Sequence, residues 1–146
     1  MTPPEQEDDL DRFVQAQAGV FEHALAELAA GRKTCHWMWF VFPQLKGLGQ
    51  SAMAQRYGLA SLAEARAYWQ HPLLGERLRR CCEQLRAQPG KTAFQIFGSP
   101  DDRKLCSCLT LFELADPAEP LFGQLLAQYF GGRRDGRTLA LIAAGG

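Results

Sequence analysis

The sequence has no excess of charge of either sign. Its 146 residues contain 16 Lys and Arg against 16 Asp and Glu, so the formal net charge is zero. Broad electrostatic attachment to nucleic acid or to an anionic membrane needs a cationic surface, which this balance does not provide. We therefore expect no nucleic-acid polymer and no membrane among the partners, although a local basic patch is compatible with the composition.

Long apolar runs and a secretory signal are also missing. The apolar run Trp37–Phe42 falls far short of the roughly 20 residues that a membrane-spanning helix needs. The first residues, MTPPEQEDDLDRF, are acidic and polar, without the basic and apolar segments of a signal peptide. The sequence therefore predicts a cytoplasmic protein.

The motifs of common metal sites and hydrolases are absent as well. No C-x-x-C, H-x-x-x-H, G-x-S-x-G or H-E-x-x-H pattern occurs. Cys106 and Cys108 are two residues apart, which on a helix separates them by about 200° and makes a shared metal ion difficult. We predict no metal and no cofactor, and we expect reduced thiols that mostly act as small buried hydrophobes. The odd set of five is Cys35, Cys81, Cys82, Cys106 and Cys108.

Apolar residues recur at three- and four-residue steps, which is the spacing of one face of a helix. From Asp8 or Asp9 this stripe continues to Leu28, and Gly31 stands where a helix-ending cap belongs. Residues 1–7, with two prolines and no apolar anchor, are expected to form a flexible tail. The sequence thus predicts one helix over residues 8–28, at the start of a single domain covering residues 8–146.

Cap signals divide the rest of the chain into further helices. Ser61 precedes Glu64 by three residues, the spacing of a capping box. Further helix starts are predicted at Pro72, Ser99-Pro100 and Asp116-Pro117. Short helical segments are expected over Ser51–Tyr57, Ala93–Phe97 and Thr138–Ala143, and a short helical or irregular buried segment over Trp37–Phe42. The predicted fold class is all-α, a compact multihelical array of about six to eight helices.

Residues 31–49, GRKTCHWMWFVFPQLKGLG, combine basic, aromatic and amide side chains. Aromatic walls with a few convergent polar groups are typical of a small-molecule pocket. Arg32 and Lys33 are candidates to hold anionic groups such as phosphate, while Trp37 or Trp39 stacks on a base. The alternative is a buried aromatic segment whose basic pair only complements the end of the preceding helix.

Polar residues elsewhere complete the candidate site. His36 could transfer protons near neutral pH, or could simply be satisfied by a backbone carbonyl. Lys104 lies near the positive end of a helix dipole, where capping does not explain it, and Asp101 could pair with it or move a proton. Gln17 and Gln44 are amides in apolar surroundings, which need partners from a ligand or from the backbone. The predicted ligand-binding set is Gln17, Arg32, Lys33, His36, Trp37, Gln44 and Lys104, with His36 and Asp101 as catalytic candidates.

Several segments together are specific enough to indicate a family. They are LDRFVQAQ from Leu10, GRK from Gly31, HWMW from His36, FPQL from Phe42, GLGQS from Gly47, HPLLG from His71 and FGSPDDRK from Phe97, with Thr110–Phe112 and Asp135–Leu139. In these segments the chain resembles an uncharacterised bacterial family, the domain of unknown function numbered 1810, whose members have sometimes been labelled calpastatin. The resemblance implies a mostly α-helical single domain and brings no established activity. Cys35 stands where Ser is expected in this family, which argues against a reactive cysteine there.

Two hypotheses about function remain open. In the first, the domain binds a small anionic, nucleotide-like ligand, related to ADP-ribose or NAD by a distant analogy with helical ADP-ribose-processing domains. In the second, it is a protein-interaction module with no catalytic activity. The sequence leaves open whether the protein is an enzyme and how many copies assemble. The first hypothesis requires Arg32, His36 and Lys104 to converge on one concave surface.

Overall fold

The fold is all-α, as predicted. A computed structural model describes the backbone of residues 4–145 and the side chains of residues 10–145. Within that part of the chain there are ten helices and no strand. They are α1 (Pro4–Gln17), α2 (Phe21–Ala29), α3 (Met38–Val41), α4 (Ala52–Tyr57), α5 (Leu62–Gln70), α6 (Leu74–Arg86), α7 (Ala93–Phe97), α8 (Asp101–Ala115), α9 (Pro120–Phe130) and α10 (Gly136–Ala143). None of these helices is both long and apolar enough to cross a membrane.

The N-terminal boundary differs from the prediction. Helix α1 begins at Pro4, four residues before the predicted start at Asp8. Residues 1–3 of the predicted tail and residue 146 of the predicted domain lie outside the described residues. The ten helices of the described residues exceed the expected six to eight, in part because residues 8–28 form two helices rather than one.

Residues 8–28 form two helices, so the prediction of one continuous helix is wrong. Gly19 adopts a φ of +74°, a left-handed conformation that ends a helix and favours glycine. The amide of Ala18 still donates to Val14 O at 3.1 Å, and the amide of Val20 donates to Gln17 O at 3.0 Å. The apolar stripe continues across the break because both helices bury residues in the same core.

The core is built around α8. This helix packs against α5, α7, α9 and α10, while α6 packs against α2, α5 and α9. Phe112 of α8 is fully buried, and its ring centroid lies 5.5 Å from that of Tyr68 in α5 and 5.8 Å from that of Phe122 in α9. Helix α8 is therefore surrounded by other helices along its length. The first turn of α8 lies beside α7 and the loop before α3.

Some predicted helix starts are confirmed and others are wrong. Ser61 caps α5 by accepting from Glu64 N at 3.1 Å, although the Glu64 carboxylate accepts from Ala60 N instead of completing the capping box. Ser99 does not cap α8, because Pro100 occupies the N-cap position of that helix. No side chain forms a cap hydrogen bond at this end of α8. The amide of Asp102 donates instead to Gly98 O at 2.9 Å.

The other two proline signals are displaced. Helix α6 begins at Leu74 rather than at Pro72, because His71 Nδ1 accepts hydrogen bonds from the amides of residues 73 and 74. Helix α9 begins at Pro120, with Glu119 as its cap, rather than after Asp116. Asp116 accepts instead from the indole of Trp69 at 3.0 Å. At α6 the side chain that accepts from these amides precedes the proline, whereas at α9 the cap is a later acid, Glu119.

Candidate functional site

The aromatic segment of residues 37–42 contains fully buried rings and one ring, that of Trp39, that is only partly buried. Trp37 is fully buried, and its ring lies 6.4 Å from that of Phe97 in an edge-on arrangement. Phe42 is also fully buried and lies 6.1 Å from Trp37. Trp39, two residues further on, is only partly buried and packs at the edge of the core. The stacking role predicted for Trp37 is therefore wrong, since neither face of its ring can meet a ligand, and Trp39 is the aromatic residue that a ligand can reach.

Glu27 fixes the loop that precedes α3. Its Oε1 accepts from Thr34 N at 2.8 Å, from Cys35 N at 3.1 Å and from Trp37 Nε1 at 2.9 Å. Partial burial opposes the charge on this carboxylate, but the hydrogen bonds from these three residues outweigh it and lower the pKa of Glu27 to about 2. No sequence pattern points to this role, because Glu27 has the position of an ordinary polar residue on a helix.

Two lysines meet one carboxylate at the start of α8. Lys33 Nζ lies 2.8 Å from Asp101 Oδ2, and Lys104 Nζ lies 3.6 Å from Asp101 Oδ1. Lys33 Nζ also lies 5.1 Å from the centre of the Trp37 ring, and Lys104 Nζ lies 4.9 Å from that of Trp39. We call these three charged residues the lysine cluster. The side chains of Lys33, Asp101 and Lys104 are 7%, 18% and 25% exposed, so all three charges are largely shielded from water.

The lysine cluster opens into a concave space of about 380 Å³, the first hollow. Its walls include Lys33, His36, Trp39, Pro100, Asp101 and Lys104. The volume lies near the lower end of the range of roughly 300–1,000 Å³ that small-molecule pockets occupy. This space combines two cations, one carboxylate, one imidazole and one indole, a set suited to a ligand with an anionic and an aromatic part.

A neighbouring space of about 530 Å³, the second hollow, shares Pro100 and Lys104 with the first. Its walls also include Gln44, Ser51, Arg103, Asp135 and Arg137. Gln44, a predicted ligand-binding residue, therefore belongs to the second hollow, and Lys104 borders both. Arg103 and Arg137 were not among the predicted site residues, although both lie in the sequence segments that carry the family resemblance.

The structure brings together only part of the predicted site. Lys33, His36, Asp101 and Lys104 line one hollow, whereas Arg32 is exposed and lines neither. The expected convergence of Arg32 with His36 and Lys104 is thus wrong for the arginine, and Lys33 takes its place. The two side chains diverge because they are successive residues in a loop that is bonded to α2 on one side and to α7 on the other.

Gln17 is a structural residue rather than a ligand contact. It is 1% exposed, and its Nε2 donates to Phe40 O at 2.6 Å and to the Tyr68 hydroxyl at 3.0 Å. Its Oε1 accepts from Arg77 Nη1 at 3.2 Å. The buried amide is therefore fully partnered, which corrects the prediction that it contacts a ligand.

The described residues offer limited chemistry beyond binding. Both carboxylate oxygens of Asp101 are engaged by lysines, and His36 lines the first hollow, so a proton-transfer role for either stays a prediction. Burial raises the pKa of Cys81 to about 12 and those of Cys82 and Cys108 well above the ordinary value, so these thiols stay neutral. No group of three His, Cys, Asp or Glu side chains in the described part is placed to hold a metal ion.

Comparison with known proteins identifies a family without a described activity. A family model described as "Protein of unknown function (DUF1810)" matches residues 7–142. The chain is similar to the crystal structure of the conserved hypothetical protein Rv1873 from Mycobacterium tuberculosis, with 56% identity and a TM-score of 0.91 over 92% of this chain and 96% of that one. A comparison with curated proteins finds no match. The family match spans nearly the whole chain, so the chain belongs to the DUF1810 family, as its sequence motifs predicted.

Proposed function

We propose, with membership of the DUF1810 family as the premise, that this domain binds a small anionic, nucleotide-like ligand in the first hollow. Neither the description of the family nor that of the similar crystal structure names an activity, so the proposal depends on the site. In its narrower form, the proposal is that the ligand is related to ADP-ribose or NAD.

The observation that carries the proposal is the convergence of Lys33 and Lys104 beside Trp39. Two ammonium groups against the single carboxylate of Asp101 give the first hollow a local charge of +1, in a chain whose formal net charge is zero. Their partial burial removes much of the solvent screening that weakens charge pairs at a surface. A phosphate placed there would accept charge-assisted hydrogen bonds from both lysines.

The position of Lys104 links recognition of the anion to recognition of the aromatic group. Its ammonium lies over the Trp39 ring at 4.9 Å, so in this structure it occupies a face on which a base could stack. A phosphate that draws this ammonium towards itself would uncover that face. The anionic and aromatic parts of one ligand would then favour the same movement of Lys104, which predicts tighter binding of a nucleotide than of either part alone.

A thermal-shift titration of the full chain tests the proposal. Adenosine monophosphate, adenosine and inorganic phosphate are compared as probes, together with the monophosphates of the other bases. At a hundred times its dissociation constant a ligand adds about 2.7 kcal/mol of stability. For a domain of this size that raises Tm by about 5–10 °C. The proposal predicts such a shift for a mononucleotide, a much smaller one for adenosine or phosphate, and its loss in Lys104→Ala.

The alternative is a protein-interaction module without chemistry. It is supported by a few exposed apolar side chains, of which Phe94 is the most exposed at 63%. Single exposed apolar residues are common on monomeric proteins, so they favour a docking surface less than the lysine cluster favours a ligand. Two results together would favour the interaction module. They are an unchanged Tm with every nucleotide, and cells that carry Lys104→Ala and cannot be distinguished from cells with the wild-type protein.

A further inference from the structure

The second hollow carries two cations that a mononucleotide in the first hollow does not use, Arg103 and Arg137. Arg103, Lys104 and Arg137 line it, against the one carboxylate of Asp135. That carboxylate caps α10, because its Oδ2 accepts from Thr138 N at 2.9 Å and from the Thr138 hydroxyl at 2.6 Å. The two arginines that line only the second hollow therefore exceed its one acid by one positive charge, Lys104 is shared with the first hollow, and Asp135 is committed to a helix end.

Both arginines are exposed side chains that line this space, and within the described part of the chain neither has an ion-pair partner. Arg137 Nη2 donates to Leu48 O at 3.1 Å, which fixes the guanidinium against the loop that precedes α4. A guanidinium has five donor hydrogens, so Arg137 keeps donors for a further acceptor. Such a group is well suited to the oxygens of a phosphate.

Lys104 belongs to both hollows. Neighbouring phosphoryl groups of a diphosphate share one bridging oxygen, so a single ammonium at the junction of two spaces can contact both groups. We propose that the second hollow binds a second phosphoryl group, and that the ligand class is a nucleoside diphosphate or a diphosphate-linked nucleoside. The nucleoside lies beside Trp39, the first phosphoryl group meets Lys33 and Lys104, and the second meets Lys104, Arg103 and Arg137. This inference rests on the proposed function and narrows its ligand class.

Isothermal titration calorimetry of the full chain with adenosine monophosphate and adenosine diphosphate tests the inference. One added charge-assisted contact corresponds to about tenfold or more in affinity, so the diphosphate should bind wild type at least about tenfold more tightly. Arg137→Gln should remove most of that advantage and leave the affinity for the monophosphate unchanged. Arg80→Gln is the matched control, because Arg80 lies on α6 with its side chain 45% exposed and lines neither hollow. It should change neither affinity.

The outcomes separate this inference from the proposed function. Equal affinities of wild type for the two nucleotides overturn the inference, as does an unchanged diphosphate preference in both Arg137→Gln and Arg103→Gln. An equal loss of affinity for both nucleotides in Arg137→Gln also overturns it, since that indicates a general electrostatic effect. In each of these cases monophosphate binding that is lost in Lys33→Ala leaves the proposed function standing. Binding of neither nucleotide overturns both. The Tm of each variant shows whether it folds, and Arg103→Gln replaces Arg137→Gln if the latter does not.

Discussion

Replacing Glu27 should destabilise the protein more than an ordinary change on a helix surface. Glu27 Oε1 is the shared acceptor for two backbone amides and for the indole of Trp37. The amides belong to Thr34 and Cys35, which are exposed and can turn to water in a Glu27→Ala variant. Trp37 is fully buried, so its indole N–H would lose the acceptor that the protein gives it.

The magnitude follows from that difference. An unsatisfied buried donor costs about 1–3 kcal/mol, and hydrogen bonds to a charged acceptor are worth about 1.5–3 kcal/mol each in favourable settings. With the two amides rehydrated, we expect Glu27→Ala to lower the free energy of unfolding by about 2–4 kcal/mol. Glu27→Gln keeps an acceptor oxygen but loses the charge, so its cost should be about half as large.

Urea denaturation of the variants measures the effect. The matched control is Glu22→Ala in the same helix, because the Glu22 side chain is 78% exposed and lies 3.9 Å from Arg80. It should change the free energy of unfolding by less than about 0.5 kcal/mol. A Glu27→Ala variant as stable as the Glu22→Ala control would refute the claim that Glu27 holds this loop.

The Glu27 carboxylate should also make the free energy of unfolding depend on pH, in a direction that its lowered pKa sets. The pKa of Glu27 is lowered from 4.5 to about 2 in the folded protein. The contribution of its charge to stability is therefore fully present above pH 4.5 and is lost as the pH falls towards 2. The stability difference between wild type and Glu27→Gln should be largest above pH 4.5 and should shrink below it. A difference that grows on acidification would contradict this assignment.

Three further variants test the packing and the charge of the site. Gln17→Leu should cost about 2–4 kcal/mol in urea denaturation, because it removes one hydrogen-bond partner each from a buried carbonyl, a buried hydroxyl and a guanidinium. Nucleotide affinity should not change in calorimetry. Gly75→Ala should lower the free energy of unfolding by about 3 kcal/mol, because the added Cβ would lie 2.1 Å from Trp69 O. The control is Gly90→Ala, whose Cβ meets nothing within 4 Å, and it should be nearly neutral in the same denaturation assay. Asp101→Asn removes the only acid of the lysine cluster, so it should tighten mononucleotide binding about two- to fivefold in calorimetry, and weaker binding would show that the acid is needed to position the lysines.

The fold class followed from periodicity and caps, and the errors arose where a backbone conformation or a side-chain contact that no local pattern shows decided where a helix begins or ends. The apolar stripe of residues 8–28 predicts helix correctly, but no sequence rule shows that Gly19 leaves the helical region, since a glycine inside such a stripe is also tolerated. Asp116-Pro117 has the pattern of a helix start. Asp116 instead accepts from Trp69, and the next Pro with its own acidic cap begins α9.

The candidate site was half predictable for a similar reason. Residue type identified a basic, aromatic segment, and the segment does border a hollow. The backbone of the loop before α3 decides which of the two basic residues, and which of the two tryptophans, faces that hollow. Glu27 and the backbone hydrogen bond from Lys33 N to Ile96 O at 2.7 Å fix that backbone. The bond from Lys33 to Ile96 joins residues far apart in the sequence, and no local pattern shows that Glu27 binds the loop, so the choice of Lys33 over Arg32, and of Trp39 over Trp37, required the structure.

The most direct test of the lysine cluster as a ligand site is the nucleotide affinity of two neighbouring variants. Lys33→Ala and Arg32→Ala remove the same charge one residue apart, but only Lys33 lines the first hollow. Calorimetry with adenosine monophosphate should show affinity weakened about tenfold or more in Lys33→Ala and unchanged in Arg32→Ala. Equal weakening in both variants, or none in Lys33→Ala, would contradict the account.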